Sequence, residues 1–374
     1  MSVITQINEW FLSRSQIDIL QLTSTKLRWC SGTCANNRVK ISSLNSCVLD
    51  QPAFSGGFGQ KLFKPDLILE PLKTLTGYRF PLEKYASVIL PDQIFYFGSF
   101  QVPAVAAKAG LQPFLEREIH KSTTMSYKDF VVRYEFGEKR ENKIPIQYCA
   151  ISRSSLDEIK ELLDQANIVP VSIQPSFTGI VKLLKSVAGD ARHPSIFLHL
   201  GPRATTAGIY NSDGLRSIHT IDKGFIDLLD AIKEAAACSD ADAMKKLCSE
   251  IVLLDDPNSD AQAEVETYQQ IEPVLVDLLQ KIYGFLLLFS NDHPEESGFV
   301  KIVLSGEGTR IRNLDKLITA NLGIPSTSVA EEMADIISEL KLPEGELVAT
   351  LAPIIGNLLL SPWQLDRYDR IMAA

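Results

Sequence analysis

The stretch KIVLSGEGTRIRNLDKLITANLGIP, residues 301–325, passes from an apolar run into a Ser305-Gly306-Glu307-Gly308 turn and then into helix-period spacing that ends at Asn321-Leu322-Gly323. Glycines at the carboxyl end of a buried strand let the backbone approach another group closely, because a Cβ would collide there. Taken alone, such a turn is more often a plain strand-to-helix connection than a binding site. Metal chemistry has less to work with. The six cysteines, at 30, 34, 47, 149, 238 and 248, give one pair at x3 spacing, Cys30 and Cys34, with no second Cys/His pair to match. The five histidines show no H-E-x-x-H or similar spacing.

The elements that must position these residues belong to a chain of 374 residues, too long for one ordinary core, so two or more domains or subdomains are expected. Hydrophobic and charged fractions of 45% and 22% fit a folded globular chain. A formal net charge of −9, without a Lys/Arg cluster, excludes a general nucleic-acid binder. No window reads as the run of about 20 apolar residues a membrane span needs. The N-terminus lacks a basic region followed by a compact apolar one, so a cytosolic protein is expected; Ile4, Ile7, Trp10 and Phe11 mark one face of a short helix.

Strands and helices alternate along the chain. Residues 17–30 read as a strand or hairpin arm and NRVKISSLNSCVL as its partner. Residues 86–151 follow as a block of their own, strand, Pro-Asp turn, strand, helix, strand, charged turn, strand, which suggests an inserted β-β-α-β-β subdomain. A helix with Ser155 and Glu158 in capping-box positions comes next. The second half opens with strands around SIFLHLGPRATTAGIY and GLRSIHTI. A long helix from about Ala261 to Asn291 carries Ile271, Val274, Leu275, Leu278, Leu279, Ile282, Leu286 and Phe289 at helical spacing, as a core helix does.

In this order, four segments resemble the actin-like ATPase superfamily and, within it, the PilM-like proteins of type IV pilus assembly, relatives of FtsA. They are VLSGEGTRIRNLDKLITANLGIP, SIFLHLGPRATTAGIYNSDGLRSIHTIDKGFIDLLDAI, the inserted block with the helix and strand after it, and LQLTSTKLRW. The resemblance implies an α/β, actin-like ATPase fold, two RNase H-like domains facing a cleft. It places the first domain at 1–85, completed by 152–190 and a C-terminal helix in 346–374. The inserted subdomain is 86–151, and the second domain is 191–345 with a helical part at about 223–298.

It also implies site residues. Thr23, Ser24 and Thr25 stand at the first phosphate hairpin, Gly201, Thr205 and Thr206 at the second, Gly224 at the following helix start, and Ser305, Gly306, Glu307 and Gly308 beside a nucleoside. Aligned without a gap, Gln21 replaces the first hairpin's Asp and Thr23 its Gly; Asp18 fills the role only if the strand slips. His199 stands where the second hairpin carries Asp. Without those carboxylates the magnesium anchor and the water-orienting group are missing, so hydrolysis is not expected. ATP binding without hydrolysis stays open, no cofactor being confirmed.

The function implied is that of a non-catalytic cytoplasmic scaffold, peripheral to the inner membrane through its partner. That partner is the N-terminal cytoplasmic tail of an inner-membrane pilus or secretion protein, held in a groove between the inserted subdomain and the first domain. Phe95, Phe97 and Phe100, read at period two along one strand, are the candidate partner-binding residues, or else they fill the subdomain's own core. A homo-oligomer is a further possible state. The alternatives are an ATP-binding actin homologue and the cytoplasmic part of a type II secretion protein.

Overall fold

The structure, a computed structural model, describes residues 16–54, 64–77, 84–137, 142–187, 193–211, 214–250, 262–296, 298–339, 342–343 and 346–359. The N-terminal stripe of Ile4, Ile7, Trp10 and Phe11, and the terminal stretch 360–374, lie outside them. The chain forms two units, one of residues 1–187, 333–346 and 352–374, the other of residues 188–332 and 347–351.

In the first unit, β1 (Ile17–Leu22), β2 (Lys26–Ala35) and β3 (Arg38–Val48) form an antiparallel meander whose first turn, Thr23-Ser24-Thr25, fixes the register Gln21↔Arg28. β4 (Lys84–Leu90) adds in parallel to β1. Its run YASVIL is buried from Ala86 to Leu90, as expected of a parallel strand covered on both faces. β4 is therefore part of the main sheet and not the first strand of the insertion. The lobe begins after Pro91, with β5 (Phe95–Pro103), helices Ala104–Ala109 and Gln112–Ser122, β6 (Phe130–Phe136) and β7 (Lys143–Ser152), and its sheet runs β5-β7-β6. The insertion is thus β-α-α-β-β, and the expected β-β-α-β-β block from residue 86 is corrected on both counts. The next helix, Arg153–Gln165, is capped by Ser152, whose hydroxyl accepts from Ser155 N–H, so the cap lies three residues before the expected one. β8 (Ile168–Pro175) then pairs with β4, and helix Ser176–Val187 follows.

The second unit repeats the plan. β9 (Ser195–Leu200), β10 (Thr205–Asn211) and β11 (Gly214–Ile221) form an antiparallel meander, to which β12 (Ile302–Gly306) and β13 (Ser326–Ser328) add in parallel, giving the order β11-β10-β9-β12-β13. The first unit has the same order in β3-β2-β1-β4-β8, the RNase H-like arrangement the sequence implies. Helix Gln262–Asp292 buries Ile271, Leu275, Leu278, Ile282, Leu286 and Phe289 against this unit's core, as its spacing predicts. Contrary to the sequence reading, its segment Tyr268–Asp292 is long and apolar enough to pass for a membrane span, because Val276, Tyr283, Leu287 and Leu288 add exposed apolar residues to the buried stripe.

The chain then returns to the first unit sooner than expected. β14 (Ile337–Glu339) pairs in parallel with β3 at the edge of the first sheet, so residues 333–346 belong there and not to the second domain. The last described helix, Ala352–Leu358, packs on helix Ser176–Val187 of the same unit. Gly179 and Gly356 meet at that crossing, and a Cβ on either would run into the other helix's backbone. The two glycines let the helices touch backbone to backbone.

Candidate functional site

The first candidate phosphate turn is bonded across its ends. Thr23 donates its N–H to the Lys26 carbonyl at 2.9 Å, its hydroxyl donates to the same oxygen at 2.9 Å, and Lys26 N–H returns a bond to that hydroxyl at 2.9 Å. The carbonyls of Ser24 and Thr25 accept from Ala53 and Leu49 N–H, both at 2.8 Å, and Ser24 is buried. The register sets Asp18 against Ser31, at the far end of β1 from the turn, so strand slippage does not bring its carboxylate there.

Gln21 is the residue aligned with the expected carboxylate, and its amide oxygen accepts from Arg28 Nη1 at 3.1 Å. Arg28 also donates from Nε and Nη2 to Glu346 Oε2, at 3.1 and 3.0 Å, while Lys26 Nζ donates to Glu346 Oε1 at 2.9 Å. The side chains of Arg28 and Glu346 are 2% and 1% exposed. Burial alone would raise the Glu346 carboxyl. The charge of Arg28, the hydrogen bonds from Arg28 and Lys26 and the charge of Lys26 outweigh it and hold the pKa down to about 2.

The second turn is tied to the helix start that follows it. Gly201 N–H donates to Ala204 O at 2.9 Å; Phe225 and Ile226, the first residues of helix Phe225–Ala236, donate to the carbonyls of Gly201 and Pro202, both at 2.9 Å; Gly224 N–H donates to Asp227 Oδ2 at 2.8 Å. An isolated helix N-terminus attracts anions through such amides, but here the strand turn takes them. A Cβ on Gly224 would lie 2.6 Å from Ala204 N, so this glycine is needed for the turn to seat on the helix. Thr205 donates to Lys223 O at 2.7 Å, and both Thr205 and Thr206 are buried.

The Ser305–Gly308 turn packs on the same place. β12 runs parallel to β9 with Ser305↔His199 and Gly306↔Leu200, and His199 Nδ1 lies 3.0 Å from Ser305 Oγ, so the histidine is half-buried and partnered. Gly306 has φ +88°, and a Cβ there would strike the Leu200 carbonyl; one on Gly308 would lie 2.5 Å from the Leu200 side chain. Glu307 accepts from Arg310 Nε at 2.8 Å. Packing of one strand end on another thus accounts for these glycines without a nucleoside.

A nucleotide with its magnesium needs carboxylate or carbonyl oxygens for the metal and N–H or cationic groups for the phosphates. At the first turn the one aligned oxygen faces a guanidinium, and the cations already hold Glu346. At the second, the amides of Gly201, Gly224, Phe225 and Ile226 are bonded within the chain. With Gln21 and His199 at the two aligned positions, the residues do not fit the magnesium of such a group. Arg28, Lys26 and Glu346 are the site residues that the sequence reading missed. Alternation along β2 puts the two cations on one face, which is a legible signal; Glu346, 318 positions from Arg28, gives none.

The three candidate partner-binding aromatics separate. Phe95 is 3% exposed inside the first unit's main core, and Phe97, two residues on, is half-buried on the same face, its ring 5.1 Å from Phe177 and edge-on to it. Phe100 is an odd number of residues away and so points to the other face, beside Tyr148 at 6.1 Å in the lobe's own cluster. The common period-two stripe is corrected accordingly. On Phe97's face of the lobe, alternation also places Arg133 and Glu135 of β6, and the Glu135 charge acts on half-buried Lys182 of helix Ser176–Val187. Burial draws the Lys182 amine down to about 8 against that opposing charge. Phe97 thus meets Phe177 where the lobe joins the body, and the Glu135 charge reaches Lys182 across the same junction. β6 is an edge strand of its sheet and exposes Tyr134 and Phe136, at 43% and 55%.

No protein-family model matches the chain, and no curated protein matches it. Solved structures do. The PilM-PilN type IV pilus biogenesis complex is similar at 17% identity, over 94% of this chain and 99% of that one, with a TM-score of 0.73. MreB 5 of Spiroplasma citri bound to AMPPNP is similar at 12% identity, over 96% and 99%, at 0.53. The ethanolamine utilization protein EutJ from Carboxydothermus hydrogenoformans is similar at 8% identity, over 94% and 99%, at 0.52. The chain has the actin-like ATPase fold.

Proposed function

We propose that the protein is a non-catalytic adaptor of a type IV pilus or related secretion assembly. It grips the extended cytoplasmic tail of an inner-membrane partner in the groove between lobe and body, and so sits in the cytoplasm at the inner membrane. The observation that carries this reading is the junction of lobe and body, where Phe97 meets Phe177 and the Glu135 charge reaches Lys182, in a lobe whose β6 is an edge strand. A short extended peptide needs backbone groups to pair with and a few apolar side chains to rest on; edge strand β6 offers the first and Phe97 with Phe177 the second. The likeness over almost the whole length to a chain solved in a PilM-PilN complex supports the same reading. Gln21 and His199, at the positions where the resemblance implies carboxylates, support the absence of catalysis.

The test is binding of a labelled peptide of about ten residues, taken from the cytoplasmic N-terminus of an inner-membrane pilus protein, followed by fluorescence anisotropy at micromolar concentrations. The reading expects saturable binding that Phe97→Ala weakens while the melting temperature holds. Binding that falls only in variants that unfold would overturn it.

A further inference from the structure

We infer that Glu346 is a built-in ligand: its carboxylate fills, from the chain's own returning segment, the two-cation site that Lys26 and Arg28 make beside the β1–β2 turn, so that this hairpin takes no nucleotide phosphate. Both carboxylate oxygens are used, Oε1 by Lys26 at 2.9 Å and Oε2 by Arg28 at 3.0 and 3.1 Å. A guanidinium and an ammonium converging on one small oxyanion is also how proteins hold phosphate oxygens. Here the oxyanion comes from within, and the site is dry: Lys26, Arg28 and Glu346 side chains are 16%, 2% and 1% exposed. Once the carboxylate is removed, the ammonium of Lys26 and the guanidinium of Arg28 still face the place it held, and together they attract an anion there. The remaining donor of Arg28 named above, Nη1, is committed to Gln21 at 3.1 Å, and this amide replaces the carboxylate that would have called for a metal.

The inference goes beyond the adaptor reading and does not depend on it. A second-copy contact or a peptide groove could be absent, and the internal ligand would still stand.

The experiment is thermal unfolding of the full chain, wild type and variants, against inorganic phosphate, Mg-ATP and Mg-ADP. For the wild type the melting temperature is expected to stay put at millimolar nucleotide. A real site at a hundredfold excess over its Kd would raise it by about 5 °C or more. Glu346→Ala is expected to melt lower and to regain part of the loss in phosphate, saturably, and Lys26→Met in that background should abolish the regain. Glu346→Gln keeps the side chain's size and one acceptor, and serves if the alanine variant does not fold. Saturable nucleotide stabilisation of the wild type overturns the inference, as does a folded Glu346 variant that responds to no anion. Partner-peptide binding is not a readout, so failure here and failure of the adaptor reading are told apart.

Discussion

Replacing Glu346 by Gln removes one charge from the buried group that ties the returning segment to the first hairpin. The carboxyl stands at about 2 against an ordinary value of 4.5, because the charges and hydrogen bonds of Arg28 and Lys26 outweigh its burial. Its folded pKa is depressed, so the unfolded chain takes up the proton more readily, and the stabilisation is complete above about pH 4.5 and lost as pH falls toward 2. A difference of 2.5, from 4.5 less 2, converts to about 3 kcal/mol, of which about 2 kcal/mol is gone by about pH 3. At neutral pH the variant leaves Arg28 buried without its counter-charge, a loss of about 3 kcal/mol or more. Urea unfolding followed by tryptophan fluorescence reports on this region directly, since Trp29 neighbours Arg28 in β2. The expected result is a gap between wild type and Glu346→Gln that is large at about pH 6 and about 2 kcal/mol smaller at about pH 3. An equal gap at both pH values refutes the reasoning, because the carboxylate would then not be the titrating group.

With Mg-ATP the purified protein should turn over no faster than a blank, as measured by phosphate release; a steady rate abolished by mutating Ser305–Gly308 would contradict the non-catalytic reading. Gly179→Ala and Gly356→Ala should each lower stability by about 2 kcal/mol, read from chemical denaturation, since backbone on the opposite helix cannot yield to a new methyl. Phe95→Ala should destabilise by about 3 kcal/mol as a buried core truncation, whereas Phe97→Ala should cost far less and act on peptide affinity. Lys182, with its amine drawn to about 8, should acetylate at mildly alkaline pH faster than surface lysines, and bound partner peptide should protect it, as mass spectrometry would show.

Element order was legible because periodicity carries it: alternation marked the meanders, and the 3.6-residue spacing of Ile271 to Phe289 marked the long core helix. The boundary of the lobe was not. YASVIL and the strand after Pro91 read as consecutive arms of one hairpin, since nothing local says that the first is covered on both faces in a parallel sheet while the second starts another sheet. The aromatic stripe failed on parity, because Phe100 lies five residues from Phe95 and a strand turns odd separations to opposite faces. Gln21, where the resemblance implies a carboxylate, was visible in the sequence. What replaced it was not, since its decisive partner arrives from the other end of the chain.

The glycines teach a separate point about motifs. Gly201, Gly224, Gly306 and Gly308 all stand where the resemblance implies a nucleotide, and a sequence reading takes them as the better-kept half of the expected site. In the structure Gly224 seats a helix start on the Arg203-Ala204 backbone, and Gly306 and Gly308 seat β12's turn on Leu200. These contacts follow from two strand ends and one helix start converging, and they hold whether or not a ligand is present. Carboxylates have no such second employment at the end of a strand, where an unpaired charge is costly. When glycines persist and acids do not, the glycines report the fold and the acids report the chemistry. By that criterion Gln21 and His199 outweigh the four glycines, and the half-buried Phe97 beside Phe177 is the more informative place to probe.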